Sequence, residues 1–233
     1  MLKTDLHIHT SDDPIDNIPY STVELIDRAA QLQFGALAVT LHDRQSDTRH
    51  LIPYARERGI VLIPGVERTI RGRHVLLLNF PAAAESLGSF DELARLKAQY
   101  PEGLVVAPHP FFPHTNCLRK LTDHYKHLFD AVEVNGFYTS ALNFNRAAIT
   151  WAHAQHKPLI GNSDAHRLHM VGRTFSLVDA APNPDAICAA IKRGLVEVQA
   201  TPLSLLETAA YCRALFVGGR RPDRAAAPST ATA

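Results

Sequence analysis

Near the start of the chain, residues Thr4 to Asp13 read TDLHIHTSDD, with two histidines and three carboxylates set among hydrophobic neighbours. Alternate residues of a strand share a face, so His7 and His9 project together while Leu6 and Ile8 face the other way. Asp5 falls on the histidine side, placed to orient one imidazole. Paired imidazoles beside carboxylates are the side chains of a divalent-metal site. A strand carrying two hydrogen-bonded histidines without a metal is the alternative at this point.

The other strand-like runs carry similar residues at their ends. His42 follows ALAVTL, Glu67 ends IVLIPGVE, His109 follows GLVVAP, Glu133 lies in DAVEVNG, and Asp164 and His166 end PLIGNSDAH. In α/β barrels the C-terminal strand ends converge on one face, where active sites are built, so these segments deliver their side chains to one place. His, Asp and Glu without Cys suit Zn, Mn or Fe, and carboxylates bridge ions. About eight or nine candidate ligands exceed one tetrahedral site and imply two or three divalent ions.

The elements that must position these residues are legible as alternating apolar runs and helical patterns. LKTDLHIH, ALAVTLH and IVLIPGVE read as strands, and STVELIDRAAQLQ and TRHLIPYARERG as helices. Ser21 with Glu24, and Ser89 with Glu92, form capping-box patterns ahead of apolar positions. The Arg-Gly-Arg centre of TIRGRHVLLLNF predicts a hairpin into a strand from His74 to Phe80. Strands GLVVAPHP, DAVEVNG and PLIGNSDAH follow, with helices around Leu118 to Leu128 and Leu142 to His156. TFSLVDA and VEVQAT then flank a helix in PDAICAAIKRG.

At 233 residues, 46% of them hydrophobic and 20% charged, the chain suits one large α/β domain with a sizeable core. We expect that domain over residues 1–216 and a flexible tail over 217–233, where GGRRPDRAAAPSTATA has no face to bury. Net charge +1 gives no global field for nucleic acid or an anionic membrane. The three cysteines, Cys117, Cys188 and Cys212, show no CxxC spacing, and neither a leader pattern nor a spanning apolar run is present; cytoplasmic localisation is expected.

The motifs DLHIHT, TLHD, GVE, RHVLLL, APHP and GNSDAH, in that order over residues 5 to 166, resemble those of the PHP (polymerase and histidinol phosphatase) family. The resemblance implies a distorted (β/α)7 barrel, a trinuclear metal centre and phosphoester hydrolysis. It carries the ligand roles to His7, His9, His42, Glu67, His74, His109, Asp164 and His166, with Asp164 and His166 acting in catalysis through the metals. One ion is assigned to His7, His9, Glu67 and Asp164. Glu67 bridges to a second with His74 and His109, and a third takes Asp13, His42 and His166.

This chain departs from the family pattern twice. TLHD has Leu41 before the histidine and Asp43 after it, where many relatives have an Asp before it. In the loop after His9, Asp13 is the best match to a further ligand, with Asp12 and Asp16 open. Glu133 is assigned to the pocket or to support of the ligands. Arg44, Arg167 and Arg173 lie near strand ends and are candidates to grip a substrate phosphate. The remaining histidines lack paired spacing and are assigned ordinary surface or hydrogen-bonding roles.

The expected activity is metal-dependent hydrolysis of a small phosphorylated substrate, a nucleotide or phosphorylated metabolite. An exonuclease-like phosphodiesterase is the alternative in the same class, weakened by balanced charge and the lack of an aromatic-basic stripe. A non-catalytic metal-binding interaction module is the alternative outside it. The expected partner is the small substrate, with nucleic acid not favoured and no membrane.

Overall fold

The structure is a computed structural model that describes residues 1–204 and 206–210. The segment expected to be a tail lies outside the described residues, as does Cys212.

The runs LVVA and AVEVN are buried at every position, as strands covered on both faces must be. They are β5 (Leu104–Ala107) and β6 (Ala131–Asn135). Ahead of them come β1 (Leu2–Ile8), β2 (Ala36–Val39), β3 (Val61–Ile70) and β4 (Arg73–Leu78); β7 (Leu159–Asn162), β8 (Thr174–Val178) and β9 (Val196–Ala200) follow. The helices are α1 (Thr22–Gln31), α2 (Ile52–Glu57), α3 (Phe90–Gln99), α4 (Lys120–His124), α5 (Asn145–Ala154) and α6 (Pro184–Lys192). The capping boxes expected at Ser21 and Ser89 are both formed, at the starts of α1 and α3. No helix among the described residues is long and apolar enough to cross a membrane.

The sheet order is β7-β6-β5-β4-β3-β2-β1-β8-β9. Strands β1, β2 and β3 pair in parallel, as do β5, β6 and β7; β4 is antiparallel to both of its neighbours. The reversal follows from the hairpin. Arg71 and Gly72 both have positive φ, 49° and 72°, the geometry of a two-residue turn whose twist matches that of the flanking strands. Because β4 runs backwards, its first residues, His74 among them, lie at the end of the barrel where the other strands finish.

The sheet curls until β7 meets β1. Ile8 and Ala165 form a parallel bridge, the Asp164 N–H donates to the His7 carbonyl (2.9 Å), and the Leu6 N–H donates to Asn162 Oδ1 (3.0 Å). Lower on β1, residues 2–4 pair instead with β8. The expected distorted barrel is therefore nearly closed, and the gap opens where β8 takes over the edge of β1.

One facing differs from the alternation expected for β1. Leu6 does not share a side with Ile8: it packs inside the barrel with Ala38, Leu76, Leu78 and Val106, above Ile187 and Ile191 of α6. Ile8 packs outside against Leu25 and Ile26 of α1. The pairing of β1 with β2 shifts register between Asp5 and Ile8, and such an irregularity re-aims side chains locally. Leu41 also lies in this outer core, fully buried, where a carboxylate would have no water.

Where β6 and β7 end, Gly136 is required by close approach. A Cβ there would stand 2.8 Å from the Ser163 carbonyl oxygen, which is backbone and cannot swing away. Gly136→Ala is expected to cost about 1–3 kcal/mol in urea unfolding and to push Asn135 and Asp164 apart.

Candidate metal centre

Six imidazoles and five carboxylates gather at the strand-end face of the barrel. Glu67, buried three residues before the end of β3, stands in the middle. Its Oε2 lies 3.5 Å from His7 Nε2, 3.4 Å from His9 Nε2 and 3.2 Å from His42 Nε2. Its Oε1 lies 2.6 Å from His74 Nδ1 and 3.1 Å from His109 Nε2.

Below it, four atoms converge. His7 Nε2 and His9 Nε2 are 3.3 Å apart, and each is 3.4 Å from Asp164 Oδ1. These three distances, with those from Glu67 Oε2 to the two imidazoles, match five edges, about 3.3–3.4 Å, of a tetrahedron around an ion bound at about 2.0–2.1 Å. The far side of each ring faces a carboxylate: His7 Nδ1 lies 2.8 Å from Glu133 Oε1, and His9 Nδ1 lies 2.9 Å from Asp13 Oδ2. With Nδ1–H donated to the carboxylate, Nε2 carries a lone pair aimed at the common centre. A buried knot of lone pairs needs a cation, so the residues present fit a metal ion. Further groups able to hold one combine His9, Asp13 and His42, or His42, Glu67 and His74.

Backbone conformation helps to aim these groups. His109 (φ 28°), Asp164 (φ 50°) and Asp43 (φ 53°), next to His42, all sit in the left-handed region, which disfavours side-chain-bearing residues. Such conformations persist where surrounding contacts fix them, commonly at functional sites.

His7, His9, Glu67, His74, His109 and Asp164 are brought together. Asp13 accepts from both the Nδ1 side (2.9 Å) and the backbone N–H (3.0 Å) of His42, as well as facing His9, so it supplies the support that Leu41 cannot. The carboxylate facing His166 is Asp16, whose Oδ2 is 3.0 Å from Nε2. Asp43 turns instead to Arg68 Nη1 (2.8 Å) and the Thr69 N–H (2.6 Å). Asp5 does not orient an imidazole: its Oδ1 accepts the Ser163 N–H (3.1 Å), and burial pushes this carboxyl up to about 7.

Of the three arginines, Arg44 is exposed and donates to the Asp12 carbonyl, and Arg167 donates to the His166 carbonyl (2.8 Å). Arg173 is held by Glu207, at 2.5 and 3.1 Å, and by the Pro202 carbonyl, which turns it towards the segment after β9.

Glu133, assigned only loosely from the sequence, is tied down from four sides. Besides His7 it accepts from Asn162 Nδ2 (2.9 Å), Asn135 Nδ2 (3.1 Å) and the His109 N–H (2.9 Å). Asn135 also donates to Asp164 Oδ2 (2.9 Å). Neither asparagine is among the residues expected from the sequence. The signal for them was period two, since Asn135 follows Glu133, and Asn162 precedes Asp164, by two positions.

The charges are strongly coupled. Burial opposes a proton on His7, but the Asp164, Glu133 and Glu67 carboxylates outweigh it and hold His7 well above the usual histidine range. On His109 burial again opposes the proton, and Cys117 and Glu67 win. Burial would raise Glu67 and Asp164, yet His74 and His7 lead the imidazoles that hold Glu67 well below the carboxylate range, and His7 leads those acting on Asp164.

These directions fix a pH response for the metal-free protein. The raised histidines contribute stability that is complete below about pH 6.5 and is lost as pH climbs through their folded values. The depressed carboxylates contribute stability present above about pH 4 and lost as pH falls. Chelator-treated protein is therefore expected to show its highest Tm between about pH 4 and 6.5, declining on both sides. Added Zn²⁺ should reverse the alkaline limb, because imidazole ligands bind without their protons.

Residues 143–196 match the family model PHP_C, described as PHP-associated. A search of curated protein sequences found no match. Among solved structures, the chain is similar to a two-domain protein from Bacteroides vulgatus containing a predicted PHP-like metal-dependent phosphoesterase. That likeness has 21% identity and TM-score 0.65, over 85% of this chain and 64% of that one. It is also similar to PsfC from Pseudomonas syringae (18% identity, TM-score 0.64, 91% of this chain and 95% of that one). A third likeness is to the lesion-specific endonuclease EndoQ from Pyrococcus furiosus, with 22% identity, TM-score 0.57, and 84% and 57% of the two chains covered. This chain thus spans less than two thirds of the Bacteroides and Pyrococcus proteins. The PHP-associated match over residues 143–196 and the barrel shared with a PHP-like phosphoesterase structure agree with the resemblance of the ordered motifs to the PHP family.

Proposed function

We propose that this protein is a metal-dependent phosphoesterase that hydrolyses a small phosphorylated substrate, a nucleotide or phosphorylated metabolite. The observation that carries the proposal is the convergence of His7, His9 and Asp164 at tetrahedral edge lengths, with Glu67 at the same range from both imidazoles. Two or three ions of Zn, Mn or Fe would be held there, by Glu67 with His74 and His109, and around His42 and His166 with Asp13 or Asp16. Bound ions supply an acidified water as nucleophile and neutralise charge developing on phosphoryl oxygens.

The chain's own contribution is orientation. Glu133 and Asp13 fix which nitrogens of His7, His9 and His42 face the centre, and Glu67 links the ion positions. Asp164 and His166 would act through the ions they help to hold, and Arg44 and Arg167 are the candidates to grip a substrate phosphate. The unit is a single hydrolase domain over residues 1–216, and the free, buried thiols of Cys117 and Cys188 suit the cytoplasm.

Assaying p-nitrophenyl phosphate, bis-p-nitrophenyl phosphate and a nucleotide panel with Mn²⁺ or Zn²⁺ tests this reading. Turnover of monoesters is expected, and silence of the reconstituted protein on all of them would overturn it. A second reading, nuclease action, is favoured by the likeness to endonuclease Q, one of whose structures holds duplex DNA with an abasic lesion at its active site. Cleavage of lesion-bearing oligonucleotides without monoester turnover would select it.

A further inference from the structure

The imidazoles around Glu67 are supported unequally. His7 is backed by Glu133, and His9 and His42 by Asp13, all buried carboxylates. The two rings facing Glu67 Oε1 are backed by neutral groups on the loop between β5 and α4. The Asn116 amide lies 3.0 Å from His74 Nε2, and Cys117 Sγ lies 3.4 Å from His109 Nδ1. The loop is laced to β4: the His74 N–H donates to the Asn116 carbonyl (2.8 Å), and Arg73 Nη1 donates to the carbonyls of Thr115 and Cys117.

A neutral ring binds a metal through one nitrogen while the other carries the proton, which is almost always donated to a neighbour. For His109, Nε2 faces Glu67, so Nδ1–H must donate, and Cys117 Sγ accepts. For His74, Nδ1 faces Glu67. Turning the Asn116 amide end for end presents Oδ1 to Nε2–H and leaves Nδ1 its lone pair. A carboxylate partner raises the basicity of a ligating imidazole, whereas a thiol or amide does so far less.

We propose that Asn116 and Cys117 are positioning residues for an ion held by Glu67, His74 and His109, and that their neutrality makes this the more weakly bound ion of the centre. The inference rests on the metal-centre reading above.

Competition titration with a chromophoric zinc chelator tests it on the wild type and on Cys117→Ala, Cys117→Ser and Asn116→Asp, with each variant's Tm recorded. The wild type is expected to show a tight and a weaker class of sites. Cys117→Ala should weaken only the weaker class, by about 10–100-fold. Cys117→Ser, whose hydroxyl also accepts from Nδ1–H, should recover most of the loss. Asn116→Asp should tighten that class by about tenfold, a gain that loosened packing does not produce.

Unchanged affinities in all three variants would overturn the inference while leaving the phosphoesterase reading intact. So would parallel weakening of both classes with a lowered Tm. In the Co²⁺-loaded wild type, a thiolate-to-cobalt charge-transfer band would overturn it as well, by making Cys117 a ligand. A wild-type protein that binds no metal at all would sink both readings together.

Discussion

Replacing Glu67 with Ala is expected to abolish the proposed phosphoester hydrolysis, with kcat/KM falling by at least about a thousandfold, or about 4 kcal/mol of transition-state stabilisation. The reason is its position: its two oxygens face five imidazoles, between 2.6 and 3.5 Å away. Its loss removes a ligand from one ion position and the link to the next. Elemental analysis should show less bound metal in the same preparation. Glu67→Gln keeps the volume but only one acceptor oxygen and no charge, and is expected to resemble Glu67→Ala in activity. Near-wild-type turnover in Glu67→Ala would mean that hydrolysis occurs elsewhere.

The second large effect is expected at Glu133, which faces His7 from behind. Glu133→Ala would leave His7 Nδ1, Asn162 Nδ2, Asn135 Nδ2 and the His109 N–H without their shared acceptor in a buried site. Breaking a buried charge pair in this way costs about 3–5 kcal/mol, measured as a loss in urea unfolding of the metal-free protein. Freed from its partner, His7 no longer holds one tautomer, and metal affinity should fall by about 10–100-fold. Glu133→Gln, which accepts through one oxygen only, should fall between the two. If Glu133→Ala changed neither stability nor metal affinity, the role given to this carboxylate would be wrong.

Much of this was legible because strand periodicity and metal chemistry act on the same residues. The nine strands follow from short apolar runs with turn signals, and the ligands follow from His, Asp and Glu at the ends of those runs. His74 stands at the start of its strand, and the Arg71–Gly72 turn that reverses β4 explains why it still reaches the centre.

What escaped the sequence depends on contacts between distant segments. Asp5 and Leu6 are misjudged by simple alternation because β1 shifts register there and divides its edge between β8 and β7. Arg173 reads as a phosphate grip until Glu207, more than thirty positions away, is seen to hold it. The choice among Asp12, Asp13 and Asp16 turns on a loop whose path no local pattern fixes. In the fold Asp13 serves His9 and His42 while Asp16 serves His166. Asn116 carries no spacing signal because its partner His74 lies on β4, and Cys117 none because no local period fixes the loop that folds it back on His109.

The most direct test of the metal centre is anomalous scattering from crystals of the protein loaded with Zn²⁺ or Mn²⁺. The account predicts a peak enclosed by His7, His9, Glu67 and Asp164, and at least one more on the other side of Glu67, beside His74 and His109. Loaded crystals without a peak among the first four residues would contradict it.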